Sequence, residues 1–119
     1  NRDAMFNLGL IYDKGEGTFE DQTQALQWYE KAAESGNRKA VLALGFKHSL
    51  ADGVPEDLVE GYAWLCIAAK LGEESAIKAL DVVKTRMSDE QLDASQKRYL
   101  KITQDFKKSA GERGSTGGS

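Results

Sequence analysis

His48 is the only imidazole in the chain and Cys66 its only thiol, so these two residues are the first to weigh for chemistry. A zinc site built on histidine needs at least one more ring, which the sequence does not contain. Cys66 stands two residues after Trp64 and has no adjacent cation or helix start to lower its pKa, as a nucleophilic thiolate requires. A lone cysteine cannot close an intramolecular disulfide either. Glu73 and Glu74 are not a carboxylate pair on an apolar background; they suit the first turn of a helix, whose partial positive charge they complement. Gly15, Glu16 and Gly17 look like part of a phosphate loop, but no strand precedes them and the glycine fingerprint is incomplete. No catalytic set, no metal site and no cofactor site emerges, so the chain reads as non-enzymatic.

The elements that carry these residues explain them better than catalysis does. Asn1, Arg2, Ala4, Leu8, Gly9, Gly17, Glu20, Asp21, Trp28, Ala32, Ala33 and Gly36 recur 36 residues later as Asn37, Arg38, Ala40, Leu44, Gly45, Gly53, Glu56, Asp57, Trp64, Ala68, Ala69 and Gly72. Average composition predicts roughly two such matches. His48 falls on the repeat equivalent of Tyr12, which makes it a half-buried ring with a polar tip. Cys66 falls on that of Glu30, a position open enough to accept charge.

Within each unit, apolar residues follow helical spacing in two blocks. Ala4, Leu8, Ile11 and Tyr12 share one face, as do Ala25, Trp28, Tyr29, Ala32 and Ala33. The second unit repeats this with Ala40, Val41, Leu44 and His48, then Tyr62, Trp64, Leu65, Ala68 and Ala69. Each unit is therefore expected to be a helical hairpin. Asp21 with Gln24, Asp57 with Glu60, and Ser88 with Gln91 have the spacing of capping boxes. Gly36 and Gly72 suit the left-handed residue that closes a helix, and Gly15, Gly17, Gly53 and Pro55 suit the turns within the hairpins. Gly9 and Gly45 lie inside helices, where glycine costs about 1 kcal/mol relative to alanine; a neighbouring helix that comes too close for a Cβ is the compensation expected. The two tryptophans supply large buried area opposite these small residues.

The net charge of -3 hides an uneven distribution. Residues 1–83 carry 8 basic and 14 acidic side chains, and residues 84–119 carry 8 and 5, giving -6 and +3. The acidic body would repel a phosphate backbone, and no basic stripe is interleaved with aromatics, so nucleic acid is an unsuitable partner. No apolar run is long enough to span a membrane. The chain begins at a repeat junction without a methionine, which suggests a fragment with further sequence before it.

The strings "AMFNLGLIYDKGEG" and "DQTQALQWYEKAAESGN", then "AVLALG" and "DGVPEDLVEGYAWLCIAAKLG", resemble Sel1-like repeats, relatives of the tetratricopeptide repeats. The resemblance implies an all-α fold: a right-handed α/α superhelix, or solenoid, of antiparallel helix pairs. The first repeat takes residues 1–36 and the second 37–72. The second departs from the family pattern at His48, Ala51, Leu65 and Cys66. Ala76, Ile77, Ala79 and Leu80 start a third first helix, over 73–86, that loses register at Asp81. Leu92, Ser95, Tyr99, Ile102 and Phe106 then trace one narrow stripe, expected of a C-terminal capping helix over 88–109. The Gly/Ser-rich residues 110–119 are expected to be a disordered tail. "MSDEQL" is similar to segments that close bacterial members of the family. The compartment stays open, the periplasm or cell envelope being favoured over the cytoplasm.

In repeats of this kind the first helices line the concave face, which implies a non-enzymatic scaffold that binds a protein or peptide there. The contact residues by that mapping are Phe6, Asn7, Leu10 and Asp13, then Leu42, Ala43, Phe46 and Ser49, then Lys78, Ala79 and Val82. Four large apolar groups, Phe6, Leu10, Leu42 and Phe46, flanked by Asp13 and Lys78, would suit an amphipathic helix or an extended peptide. The same four side chains could instead pack between adjacent first helices. Two other roles stay open: a structural spacer that self-associates through the exposed N-terminal repeat face, and an accessory domain of a larger bacterial envelope enzyme or complex.

Overall fold

Asn37 joins one hairpin to the next. Its side-chain oxygen accepts from the Ala40 amide at 3.0 Å and so caps α3 (Arg38–Leu50). Its side-chain nitrogen donates to the Arg2 carbonyl at 3.4 Å and to Asp3 Oδ1 at 3.3 Å, at the start of α1 (Arg2–Asp13). Asn1 caps α1 in the same manner, accepting from the amides of Asp3 and Ala4. The recurrence of asparagine at this offset is thus a recurrence of helix starts.

The computed structural model describes the backbone of residues 1–15, 19–51 and 55–118, with side chains except at 19, 20 and beyond 107. The turn glycines Gly17 and Gly53 lie outside the described residues. Six helices and no strand are found among the described residues: α1, α2 (Phe19–Glu34), α3, α4 (Leu58–Lys70), α5 (Glu74–Lys84) and α6 (Asp89–Gly118). Gly36 and Gly72 have φ of +98° and +94°. Behind each, the same two bonds close the helix: Gly36 and Asn37 amides donate to Ala33 and Ala32 carbonyls, and Gly72 and Glu73 amides donate to Ala69 and Ala68 carbonyls. The paired alanines therefore serve in the closing turn as well as in packing.

α1 packs on α2 and α3 on α4, and α3 also lies against α2, which links the hairpins into a stack. The contact inside each hairpin is set by glycine. A Cβ on Gly9 would stand 2.6 Å from the ring of Tyr29, and one on Gly45 would stand 2.7 Å from Leu65 Cδ2. Tyr29 and Leu65 are themselves repeat equivalents, so the close approach expected from the sequence is made twice at the same place. The core runs through Ala25, Tyr29, Ala32, Val41, Leu44, Trp64, Leu65, Ala68 and Ala76.

Several details differ from expectation. α2 begins at Phe19, so Asp21 sits within its first turn instead of capping it. Asp57 does cap α4, accepting from the Glu60 amide at 3.0 Å, but the Glu60 carboxylate turns to Arg98 of α6 and not back to the cap. The Ser88–Gln91 box is complete, with both reciprocal bonds formed. Ile11 is 65% exposed, not part of the buried face. Trp64 is buried beneath Phe106, whereas Trp28 is half-buried under the Lys31 ammonium. α6 lies across α4, with Ile102 buried and the Ser95 hydroxyl donating to the Val59 carbonyl. Its helical backbone is described to Gly118. Local i to i+4 bonding carries the backbone on, while the apolar stripe that directs packing ends at Phe106.

Candidate functional site

The first turns of α1 and α3 diverge enough to leave a groove of about 690 Å³ between them. Phe6, Asn7 and Leu10 line it from α1, and Lys39 and Leu71 line it from the side of the second unit. Three residues expected from the sequence to bind a partner are therefore brought together. Phe6 and Leu10 offer half-buried apolar surface, and Asn7 is exposed. Phe6 is held from behind by Tyr29, ring centroids 5.6 Å apart. On the rim, Asp3 is engaged by Asn37, and Arg38 donates to the Leu71 carbonyl at 3.1 Å. Arg2 and Lys39 stand beside them in no ion pair among the described residues. Glu73 also lines the groove, so the rim carries both signs with cations in excess. The sequence reading missed these cations because Arg2 and Arg38 belong to the repeating set, which reads as scaffold.

The other expected contact residues scatter. Leu42, Ala43, Phe46 and Ala79 are partly buried against the core, as packing between first helices requires. Lys78 and Val82 are exposed on α5. Ser49 is 1% exposed and turned against Gly61, which lets α4 close over it; it does not line the surface expected of it. Its hydroxyl has no hydrogen-bond partner among the described residues.

Asp13 has a different task from the anionic flank expected of it. Its carboxylate accepts from Tyr29 Oη at 2.9 Å and from Lys47 Nζ at 2.6 Å. Lys47 reaches from α3 into the first hairpin, where it also donates to Gln22 Oε1 at 2.7 Å. A lysine 2% exposed is normally expensive, and these acceptors compensate it. The sequence does hold a signal for it. Lys47 occupies the repeat position of Ile11, on the helix face that meets the preceding hairpin.

His48 and Cys66 are both half-buried, and neither meets a catalytic partner among the described residues. Burial lowers the His48 pKa, Arg98 and Lys47 push the same way, and Glu60 and Asp57 oppose them. Burial pushes the Cys66 thiol up, so it stays protonated and a poor nucleophile. Glu30 is raised by desolvation first and then by Glu60 and Glu34, with Arg98 acting against them. The Arg98 Nε–H is shared between the two carboxylate oxygens of Glu60, which makes this cluster the polar seam along which α6 docks. Among the described residues no group of three His, Cys, Asp or Glu is placed to hold a metal ion, and no helix is long and apolar enough to cross a membrane.

A second hollow, of about 500 Å³, opens where α5 and α6 separate on top of α4. Tyr62, Cys66 and Lys70 of α4 lie along it with Lys84 of α5 and Leu92 and Tyr99 of α6.

The family model for the Sel1 repeat matches residues 2–37 and 39–73. Among solved structures, the chain is similar to a protective antigen present in uropathogenic Escherichia coli strains that displays an SLR fold. The two are 25% identical with a TM-score of 0.78, over 100% of this chain and 26% of that one. The chain thus spans about a quarter of that protein's length. No curated protein matches it.

Proposed function

The chain belongs to the Sel1 repeat family, and on that premise we propose that it is a scaffold that holds a segment of a partner protein along the first-helix face of α1, α3 and α5. Repeats of this family generally serve as protein-interaction scaffolds, and their fold is typically non-enzymatic. The groove at the start of α1 and α3 supports the reading best. Phe6 and Leu10 give it apolar surface, Asn7 a free amide, and Arg2 and Lys39 two cations without an ion-pair partner among the described residues. A segment that lays an apolar side chain on Phe6 and Leu10 and a carboxylate against the rim satisfies all three. Lys78 and Val82, outside the groove, are exposed on α5 at the repeat positions of Phe6 and Leu10. Residues 1–36 and 37–72 act as the repeats, 73–86 as a third first helix, and 88–109 as the cap, in a right-handed superhelix with this face concave. A bacterial origin is suggested by the structural neighbour.

The test uses photo-crosslinking residues placed singly at Asn7, Val82 and, as a control on a second helix, Gln27, all exposed. In extract of the source organism, one partner protein captured from positions 7 and 82 and not from 27 supports the first-helix face. Capture from 27 alone, or equal capture from all three, overturns it.

A second reading has its own observation. Ala4 and Ile11 are exposed, whereas their repeat equivalents Ala40 and Lys47 are buried against the first hairpin. The outer face of α1 therefore has the form of a surface that receives another hairpin, which supports self-association through it.

A further inference from the structure

The hollow between α4, α5 and α6 arises from a break in the repeat. In the first two units the first helix packs along the second helix of its own unit, α1 with α2 and α3 with α4. α5 has α4 behind it, but α6 lies across α4 instead of pairing with α5. The two diverge and leave a space of about 500 Å³ that a regular second helix would have filled.

The chemistry of its walls is selective. Tyr62, Cys66, Leu92 and Tyr99 present half-buried aromatic, thiol and aliphatic surface. Lys70 and Lys84 are exposed on the edge, and neither is in an ion pair among the described residues. Lys70 keeps its ammonium 5.6 Å from the Tyr99 ring centroid, which draws that ring and charge together. Among the described residues no acidic side chain lines the space. Asp81, on α5, acts on the Tyr62 hydroxyl from outside the lining. Two unneutralised cations beside an apolar floor attract one class of group: a carboxylate carried next to an aromatic or aliphatic side chain.

We propose that this hollow is a second binding site, separate from the first-helix groove, for an acidic peptide segment. The segment seats an apolar side chain on Tyr62, Cys66, Leu92 and Tyr99 and places carboxylates against Lys70 and Lys84. The site does not rest on the first-helix reading: it shares no lining residue with that groove.

Cys66 supplies the readout, because it is the single cysteine and lies in the floor. The rate of its alkylation by uncharged iodoacetamide is followed by mass spectrometry on the whole chain, at a pH high enough to ionise part of the thiol. The probes are acetyl-Asp-Phe-Asp-amide, its Asn-Phe-Asn counterpart, and benzoate. The acidic peptide is expected to slow alkylation several-fold and saturably, and to shift amide resonances of α4 and α6 but not of α1 and α3. The Asn counterpart leaves the rate unchanged. Lys70→Gln with Lys84→Gln, both exposed and checked for unchanged helicity, abolishes the protection. Protection by neither peptide or by both equally, protection that survives the double substitution, or shifts confined to α1 and α3 overturns the site. Equal protection by benzoate overturns the peptide assignment in favour of a small aromatic carboxylate.

Discussion

Lys47 Nζ lies 2.6 Å from Asp13 Oδ1, and this pair ties the second hairpin to the first through a side chain that is 2% exposed. Its energetics depend on what is removed. Lys47→Met leaves the Asp13 carboxylate with Tyr29 alone and takes a donor from Gln22 Oε1, so a loss of about 3 kcal/mol is expected in urea unfolding. Adding Asp13→Asn removes the unpaired charge and should recover more than half of that loss. The coupling between the two sites is then on the order of 2 kcal/mol. Additive single losses would mean that the pair does not join the hairpins.

Gly45→Ala is expected to destabilise although alanine favours helix by about 1 kcal/mol. The new methyl would meet Leu65 Cδ2 at 2.7 Å and, less avoidably, the Leu65 backbone nitrogen at 3.1 Å. Separating α3 from α4 outweighs the propensity gain, for a net loss of about 2 kcal/mol. Gly9→Ala should cost less, because the atoms it meets at 2.6 Å belong to the Tyr29 ring, which can rotate at some expense to its bond with Asp13. Chemical denaturation of the two variants checks the order.

These two contacts mark how far the sequence could be read. Gly9 and Gly45 match across the period, as do the pairs around Gly36 and Gly72, so periodicity alone located the hairpins and their closing turns. Asp13 and Lys47 match nothing at that offset, since Ser49 and Ile11 stand at the equivalent positions. A self-comparison shows that Lys47 replaces an isoleucine on the face that meets the preceding hairpin, but it does not show which residue of that hairpin receives the charge. α6 was visible as a stripe, but its docking position depends on Ser95, Arg98 and Glu60, whose meeting arises from tertiary geometry. The groove lies between units and its rim uses repeating arginines, so of its lining only Phe6, Asn7 and Leu10 were expected, through the family resemblance and not through pattern or spacing.

Acidification should weaken the fold through His48. Its folded pKa lies below the ordinary 6.5, chiefly through burial, so the unfolded chain binds the proton first as pH falls. Stability is full above that value and declines as pH drops through 6.5 toward the folded pKa, where the decline ends. Glu30 acts oppositely: its folded pKa is raised above 4.5, so the folded state takes up its proton first and gains as pH falls through that raised value. The pH profile of urea stability in His48→Gln should lose the downward slope below neutrality. In Glu30→Gln the fold should be firmer at pH 7, where desolvation and the carboxylates of Glu60 and Glu34 no longer act on a charge. An unchanged slope in His48→Gln would exclude the ring as its source.

Ile102 is buried beneath the crossing of α6 on α4, and Phe106 covers Trp64 with ring centroids 5.9 Å apart. Ile102→Ala should therefore cost about 3 kcal/mol. Phe106→Ala should move the emission of Trp64 to longer wavelength, read in a Trp28→Phe background so that one indole reports. If the spectrum stays fixed while stability falls, α6 covers the indole by other contacts.

The open face of α1 yields the last expectation. Ile11 is 65% exposed where Lys47, its repeat equivalent, is 2% exposed against the first hairpin. An isoleucine at that position leaves apolar surface that another hairpin can bury, at roughly 25 cal/mol per Å² removed from water. Sedimentation should show weight-average mass rising with concentration, and Ile11→Glu should hold the chain monomeric because closure would bury an unpaired carboxylate. Helicity should not change, since residue 11 is exposed in the folded chain. A wild-type chain that stays monomeric into the millimolar range would remove the self-association reading and leave this face to some other partner.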